Sequence, residues 1–132
     1  MIGIDTNILI RFLLKDDAKQ AARALRFMRD EISATTPGHI SLVTLVETVW
    51  VLDSLYEFSV NDQLAVVEDL LSADALVVAE RAAVTQAVAL ARSKNADFQD
   101  CLVLLVDRAA GCDKTVTFDA KAAKRAGMTV LT

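Results

Sequence analysis

Short apolar runs alternate along the chain with longer segments of helical periodicity. The first run, Ile2-Gly3-Ile4, leads through Asp5-Thr6-Asn7 into a denser apolar block at 8–14. This order predicts a buried strand that runs directly into a buried helix. Further short apolar runs predict strands at 40–43, 75–78, 115–118 and 129–131. Because strands that alternate with helices are typical of α/β proteins, the pattern predicts a parallel sheet with helices on both faces.

Six further helices are indicated by helically spaced apolar residues and by turn signals. They span about 18–28, 44–55, 62–71, 80–92, 101–110 and 120–126. Pro37-Gly38 is the clearest turn signal, and Gly111 and Gly127 follow the predicted ends of two helices, where glycine is favoured. No internal repeat, linker or low-complexity segment divides the chain.

Length and composition indicate one domain, 1–132, with apolar residues in excess. A chain of 132 residues buries about two-thirds of the surface that its unfolded form exposes. Hydrophobic residues make up 54% of the chain and the mean hydropathy is +0.38, which predicts an apolar face covered by a partner or a second copy. No basic and apolar leader begins the chain, and no uncharged apolar run approaches the roughly 20 residues that span a bilayer. We therefore expect a cytoplasmic protein with no membrane partner.

The chain is acidic, with a net charge of −4 and a pI near 4.9. This balance argues against a protein that holds nucleic acid by bulk electrostatics. A nuclease is still compatible with it, because divalent cations bound in a pocket of acids would make that pocket attractive to phosphate. Cys101 and Cys112 lack metal-binding spacing and are interpreted as buried small apolar residues.

Acidic residues fall repeatedly where predicted strands give way to helices. Asp5 and Asp119 lie at the carboxyl ends of strands, while Glu47 and Asp100 lie at or near the starts of helices. Ligands bind beyond the carboxyl ends of strands in open parallel sheets, so we expect these carboxylates to converge there. Since like charges disfavour one another's ionised forms, a divalent cation would be needed for compensation. Carboxylate and water ligands suit Mg²⁺ or Mn²⁺.

Each of these acids could instead serve only as a helix cap. Asp5, Asp97, Asp100 or Asp119 could accept a hydrogen bond from the first turn of the helix that follows it. The Thr-x-x-Glu sequence at 44–47 fits the capping box, in which the glutamate reaches back to the N–H of the cap residue. Caps do not require carboxylates, however, since Ser, Thr and Asn also cap well. The repetition of acids at these junctions therefore favours a shared site.

Together these residues resemble the PIN-domain ribonucleases, and within them the VapC-like toxins of prokaryotic toxin–antitoxin pairs. The resemblance covers the whole chain and depends on four motifs in the same order and spacing. They are Ile4-Asp5-Thr6-Asn7-Ile8-Leu9, Glu47, Ala96-Asp97-Phe98-Gln99-Asp100-Cys101-Leu102 and Val116-Thr117-Phe118-Asp119. The resemblance implies a four- or five-stranded parallel sheet in a helix–sheet–helix sandwich. It also implies a Mg²⁺- or Mn²⁺-dependent endoribonuclease that forms a homodimer and is neutralised by a cognate antitoxin.

The resemblance assigns the site residue by residue. The acidic quartet of the family falls on Asp5, Glu47, Asp100 and Asp119. Asp97 is an additional acid that many members carry, and the polar residues that support the metal shell match Thr6, Asn7 and Thr117. In this mechanism the carboxylates hold one or two metal ions that orient a water, lower its pKa and stabilise the charge on the scissile phosphate of RNA.

Basic residues near the acids are candidates for RNA contact. Arg11 and Lys15 lie one helical turn apart, and Lys121 begins a basic helical face with Lys124 and Arg125. For both sets, however, a solvated helix face is the favoured interpretation. The single histidine, His39, is placed in the Pro37-Gly38 turn, away from the acids, and is interpreted as a turn or surface residue.

Three other classes are alternatives to a nuclease. A phosphatase of the haloacid-dehalogenase type would use a strand-end aspartate as nucleophile, but it needs a second aspartate two residues on, where this chain has Asn7. A response-regulator receiver would need a lysine after a late strand, which 129–132 does not provide. A binding module with the PIN fold and no activity would not need the complete quartet. An assay of metal-dependent RNA cleavage separates this last class from an enzyme.

Overall fold

Five strands, all paired in parallel, alternate with seven helices along the chain. The computed structural model describes all residues from Met1 to Thr132. They form two compact units, the first comprising Met1–Phe58 and Asp69–Ala79 and the second comprising Ser59–Glu68 and Glu80–Thr132. The longest helices have 14 residues, and none of the seven is long and apolar enough to cross a membrane.

The first unit is built on a three-stranded sheet. Its elements are β1 (Ile2–Gly3), α1 (Thr6–Leu14), α2 (Ala18–Glu31), β2 (Gly38–Ile40), α3 (Leu42–Ser54), the C-terminal part of α4 (Val60–Ser72) and β3 (Leu76–Val78). The strand order is β1-β2-β3. Gly38 pairs with Ile2 on one side and with Leu76 on the other. A Cβ at Gly38 would overlap the side chain of Ile4 and lie 3.0 Å from Cδ2 of Leu76, so close strand packing requires glycine at this position.

The core of the first unit lies where α1 and α3 pack together. Leu9 of α1, Ile40 of β2, and Leu45 and Leu52 of α3 are fully buried. Burying a leucine or isoleucine side chain contributes roughly 1.5–3 kcal/mol, so these side chains fix the positions of the two helices. The residues at the start of α1 are thereby held at the end of β1.

The second unit consists mainly of helices. It contains the N-terminal part of α4, α5 (Arg81–Lys94), α6 (Phe98–Ala109), β4 (Val116–Thr117), α7 (Ala120–Ala126) and β5 (Thr129–Val130). β4 and β5 pair only with each other. The buried face of α5 is rich in alanine, including Ala87 and Ala91, which lets α6 approach closely. Phe98, at the start of α6, is 2% exposed and anchors this end of the helix.

The prediction of an α/β fold with four or five parallel strands is confirmed. The hydrogen bonds divide the five strands into ladders of three and two, whereas a single sheet was expected. Each strand is only two or three residues long, because helices or turns begin soon after each one. The helix predicted at 120–126 has the observed bounds, since Asp119 caps its start and Gly127, with φ of 99°, ends it.

Several local predictions were wrong. Pro37-Gly38 is not a turn, because Gly38 begins β2, and His39 is a half-buried residue in the middle strand of the sheet. The third helix begins at Leu42 and not at Thr44, since Ser41 already caps it. The sixth begins at Phe98 and not at Cys101. Cys101 is buried as expected, but Cys112 is exposed after the end of α6.

Candidate active site

Asp97 and Asp100 occupy the first turn of α6 and have different roles there. Asp97 is the N-cap, and its Oδ1 accepts a hydrogen bond from the Asp100 N–H at 3.0 Å. The prediction that Asp97 caps this helix is therefore confirmed. Asp100 contributes its backbone N–H to the cap, so its half-buried carboxylate is not needed for capping.

Asp119 lies directly after β4 and caps α7. Its Oδ1 accepts hydrogen bonds from the N–H groups of Lys121 at 2.8 Å and Ala122 at 3.2 Å. The hydroxyl of Thr117 accepts a hydrogen bond from the Asp119 N–H at 3.0 Å, which fixes the backbone of the acid. The cap interpretation of Asp119 is thus correct. It does not exclude a second role, because all of these bonds reach Oδ1 and leave Oδ2 for another ligand.

The three aspartates line one cavity of about 470 Å³ in the second unit. Burial raises the pKa of the Asp100 carboxyl, and the negative charges of Asp97 and Asp119 raise it further. Lys121 and Arg125 line the same cavity. Arg125 also donates to the backbone oxygen of Asn95 at 3.2 Å, which holds its guanidinium at this edge. The cavity therefore gathers like-charged carboxylates with two cations at its margin.

The donor set of this cavity fits a hard divalent cation. Carboxylate oxygens are the ligands that Mg²⁺ and Mn²⁺ prefer. A cation would offset the repulsion from Asp97 and Asp119, which adds to the effect of burial in raising the pKa of Asp100. The capping bonds leave Oδ2 of Asp97 and of Asp119 for such an ion. Within each unit, no group of three or more acidic, histidine or cysteine side chains is already arranged to hold a metal.

Asp5, in the first unit, occupies the N-cap position of α1 without acting as a cap. Its backbone is extended, with φ of −83° and ψ of 161°, but its side chain accepts no hydrogen bond from the helix. Only its backbone carbonyl joins the helix, by accepting the Leu9 N–H at 3.1 Å. The side-chain cap interpretation of Asp5 is therefore wrong. Its exposed carboxylate is available for another role.

The two polar residues after Asp5 are placed differently from each other. Thr6 is 6% exposed, and its Oγ1 is a buried polar atom with no hydrogen-bond partner. Asn7 is exposed. A buried hydroxyl without a partner costs roughly 1–3 kcal/mol, so Thr6 is retained at a cost in stability directly beside Asp5.

Glu47 is exposed on α3, and the capping-box interpretation of this residue is wrong. Ser41 is the N-cap, and its hydroxyl accepts the Thr44 N–H at 3.1 Å. Thr44 is buried within the first turn, and its carbonyl accepts the hydroxyl of Thr48 at 2.7 Å. Glu47 therefore lies beyond the cap and has no part in it.

Arg11 and Lys15, the candidates for RNA contact in the first unit, differ in their contacts. Arg11 donates from Nε to Gln20 Oε1 at 2.7 Å and from Nη1 to Asp16 Oδ1 at 2.9 Å. Tyr56, which donates to Asp16, and Asp16 itself raise the pKa of Arg11. Arg11 is thus part of a network that joins the ends of helices. Lys15 is the exposed C-cap of α1, with φ of 57°.

Other residues at the cavity of the second unit were not predicted. Gln99 and Asn95 line it beside the aspartates. In the sequence, only their position in the 95–100 segment around Asp97 could have indicated that they belong to the site. Lys121, by contrast, was a candidate and does line the cavity.

Comparison with known protein families identifies the class to which this chain belongs. The PIN domain family matches residues 2–128. The chain therefore belongs to the PIN-domain family. PIN domains are generally Mg²⁺- or Mn²⁺-dependent nucleases. No match was found among curated proteins.

Proposed function

We propose that this protein is a Mg²⁺- or Mn²⁺-dependent endoribonuclease and the toxin of a type II toxin–antitoxin pair. The observation that carries the proposal is the cavity where Asp100 is desolvated and faces the charges of Asp97 and Asp119. Family membership across 2–128 supports the nuclease class. Asp5 and Glu47 complete the proposed acidic quartet, and each is an exposed acid that the capping explanation fails to account for.

The proposed roles follow from the contacts of each side chain. The chemistry that a divalent ion would supply here is to lower the pKa of a bound water and to offset charge on the scissile phosphate. Asp100 and Asp119 would hold the ion through oxygens that are not used in capping, while Thr117 fixes the Asp119 backbone. Lys121 lines the cavity, where its ammonium group would contact a phosphate oxygen of bound RNA. No side-chain nucleophile is required.

We also propose that the protein forms a homodimer and that an antitoxin covers part of its surface. Large apolar side chains support this idea, because several are exposed in each unit. In the first unit Val43 is 70%, Trp50 54% and Leu55 68% exposed, and in the second Phe118 is 84% exposed. Apolar surface of this kind marks interaction sites. The cytoplasmic location stays a prediction.

Cleavage of a mixed RNA pool with and without Mg²⁺ or Mn²⁺ tests the enzyme. We expect the wild type to cleave only with the metal and Asp119→Asn to lose cleavage, because asparagine keeps the cap but removes a charged ligand. Asp113→Asn is the matched control, since Asp113 is exposed and lies outside the cavity. Cleavage without metal, or full activity of Asp119→Asn, would contradict the proposal.

The toxin assignment needs a separate test. Expression of the wild type in a bacterial host should slow growth, and Asp119→Asn should not. Co-expression with a cognate antitoxin, sought among small proteins of neighbouring genes, should restore growth and yield a complex on purification. A wild type that cleaves RNA without affecting growth would restrict the proposal to a nuclease.

A further inference from the structure

A cleft between α1 and α2 in the first unit has the chemistry of a nucleotide-binding pocket. Its volume is about 350 Å³. No aspartate or glutamate lines it, although the chain has 18 acidic residues and a net charge of −4. Two arginines and two side-chain amides line it together with apolar side chains. A cleft without carboxylates in an acidic protein favours an anionic ligand.

The apolar walls of the cleft suit a planar group. Ile8, on α1, is 39% exposed, and Phe27, on α2, is half-buried. Ala24, which is 3% exposed, lines the cleft with only a small side chain and leaves room between the two helices. Bases of single-stranded nucleic acid stack on aromatic side chains regardless of sequence. A base is therefore an occupant that these walls could hold.

The polar groups supply donors beside these walls. Gln20 Oε1 is occupied by the Arg11 Nε at 2.7 Å, and Arg11 is itself paired with Asp16. The carboxamide N–H groups of Gln20 are then left to donate to a ligand. Arg23 is exposed and belongs to none of the ion pairs of the chain. Its guanidinium, which no salt bridge holds, can bind a phosphate.

We propose that this α1–α2 cleft binds one nucleotide of single-stranded RNA, with the base against Phe27 and the phosphate on Arg23. The inference builds on the proposed ribonuclease function, because it takes RNA as the ligand. Asn7 also lines the cleft and lies two residues after Asp5.

Binding of a short fluorescent single-stranded RNA in EDTA tests the cleft without depending on catalysis. We expect Phe27→Leu, which keeps an apolar side chain but loses the ring, to weaken binding by about fivefold or more, as for the loss of one stacked base. Arg23→Gln should reduce the slope of log affinity against log salt concentration by about 0.7, as for one lost phosphate contact to a single strand. Phe27→Leu should leave that slope unchanged.

Arg29→Gln is the matched control on the same helix. Arg29 is exposed, pairs with Asp30 at 2.7 Å and does not line the cleft. We expect its variant to bind RNA with the affinity and the salt slope of the wild type. Because Arg23 is exposed, Arg23→Gln keeps the test valid even if Phe27→Leu does not fold.

Three results would overturn the inference. The first is an Arg23→Gln affinity and salt slope equal to those of the wild type. The second is an equal loss in Arg29→Gln, which would indicate only diffuse attraction to the helix. The third is unchanged RNA binding in both cleft variants with lost binding of a protein partner, which would make the cleft a protein-docking site. The cleft variants could lose RNA binding as expected while neither the wild type nor any variant cleaves RNA. In that case the inference about the cleft is upheld and the proposed ribonuclease function fails.

Discussion

Substitution of Asp97 and Asp100 separates capping from metal binding within one helical turn. Asp97→Asn keeps an oxygen that can accept the Asp100 N–H, whereas Asp97→Ala removes it. Asp100→Asn leaves the cap intact and removes the half-buried carboxylate. We expect Asp97→Asn to retain much of the cleavage activity and Asp100→Asn to lose it.

The expected changes in stability can be worked from these contacts. Loss of an N-cap costs about 1 kcal/mol, while Asn and Asp cap about equally well. The unfolding entropy is about 2.1 cal/mol/K per residue, or roughly 0.28 kcal/mol/K for 132 residues. Asp97→Ala should therefore lower the Tm by about 4 °C. Asp97→Asn should lower it by less than about 1 °C.

Asp100→Asn should change the pH dependence of stability. The folded-state pKa of Asp100 is raised, first by burial and then by Asp97 and Asp119. The native state therefore holds this proton more tightly than the unfolded state, and stability falls as the pH rises from the unfolded-state pKa through the folded one. Asp100→Asn has no carboxyl to ionise at this position, so it does not lose this stability as the pH rises. Without metal its Tm at neutral pH should equal or exceed that of the wild type.

Thermal unfolding in EDTA from pH 3.5 to 7, combined with RNA cleavage in Mg²⁺ or Mn²⁺, measures all of these effects. The reasoning is refuted if Asp97→Asn is folded and as inactive as Asp100→Asn, because Asp97 would then bind metal as well. A Tm of Asp100→Asn several degrees below that of the wild type at neutral pH would show that its carboxylate is stabilising.

Further outcomes are expected elsewhere. Asp5→Asn should abolish RNA cleavage and leave the metal-free Tm unchanged or higher, because no cap bond is lost. Mg²⁺ or Mn²⁺ should raise the Tm of this variant less than that of the wild type. An equal rise in Tm would contradict the role of Asp5 as a metal ligand. Sedimentation at micromolar concentration should show a homodimer, and a clean monomer without partner would refute that proposal. Gly38→Ala should destabilise the fold by about 1–3 kcal/mol, as for overpacking against Ile4, which denaturant unfolding would measure. At pH 8 a thiol reagent should modify exposed Cys112 quickly and Cys101 slowly, because burial raises the pKa of the Cys101 thiol to about 11; rapid modification of both would contradict this.

The order of helices and strands could be predicted from the sequence, because turn and capping residues agree with the periodicity of the apolar residues. The helix after Asp119 has both its cap and its terminal glycine in the sequence, so its bounds were found. Helix starts were misplaced where two residues could cap. Ser41 and Thr44 are both capping residues, and the end of the preceding strand at Ile40 decides in favour of Ser41.

The candidate site was less predictable, because the sequence does not show what a carboxylate contacts. An aspartate before a helix normally accepts a backbone N–H, as Asp97 and Asp119 do, and Asp5 in the same position does not. On its α1 side the nucleotide cleft includes Asn7 and Ile8 of the first motif and Arg11, a candidate for RNA contact, but its α2 side had no motif. Its Gln20 and Phe27 belong to a segment that reads as an ordinary amphipathic helix, and only the packing of two helices brings them into one cleft.

The capping bonds of Asp97 and Asp119 have a consequence for the evolution of this family. A descendant that lost nuclease activity would still be under selection to keep an aspartate or asparagine at both positions, because its helices would still need caps. Asp5 and Glu47 carry no such structural duty. In related chains, drift at these two positions would therefore be the earlier sign that an ancestral enzyme has become a binding protein.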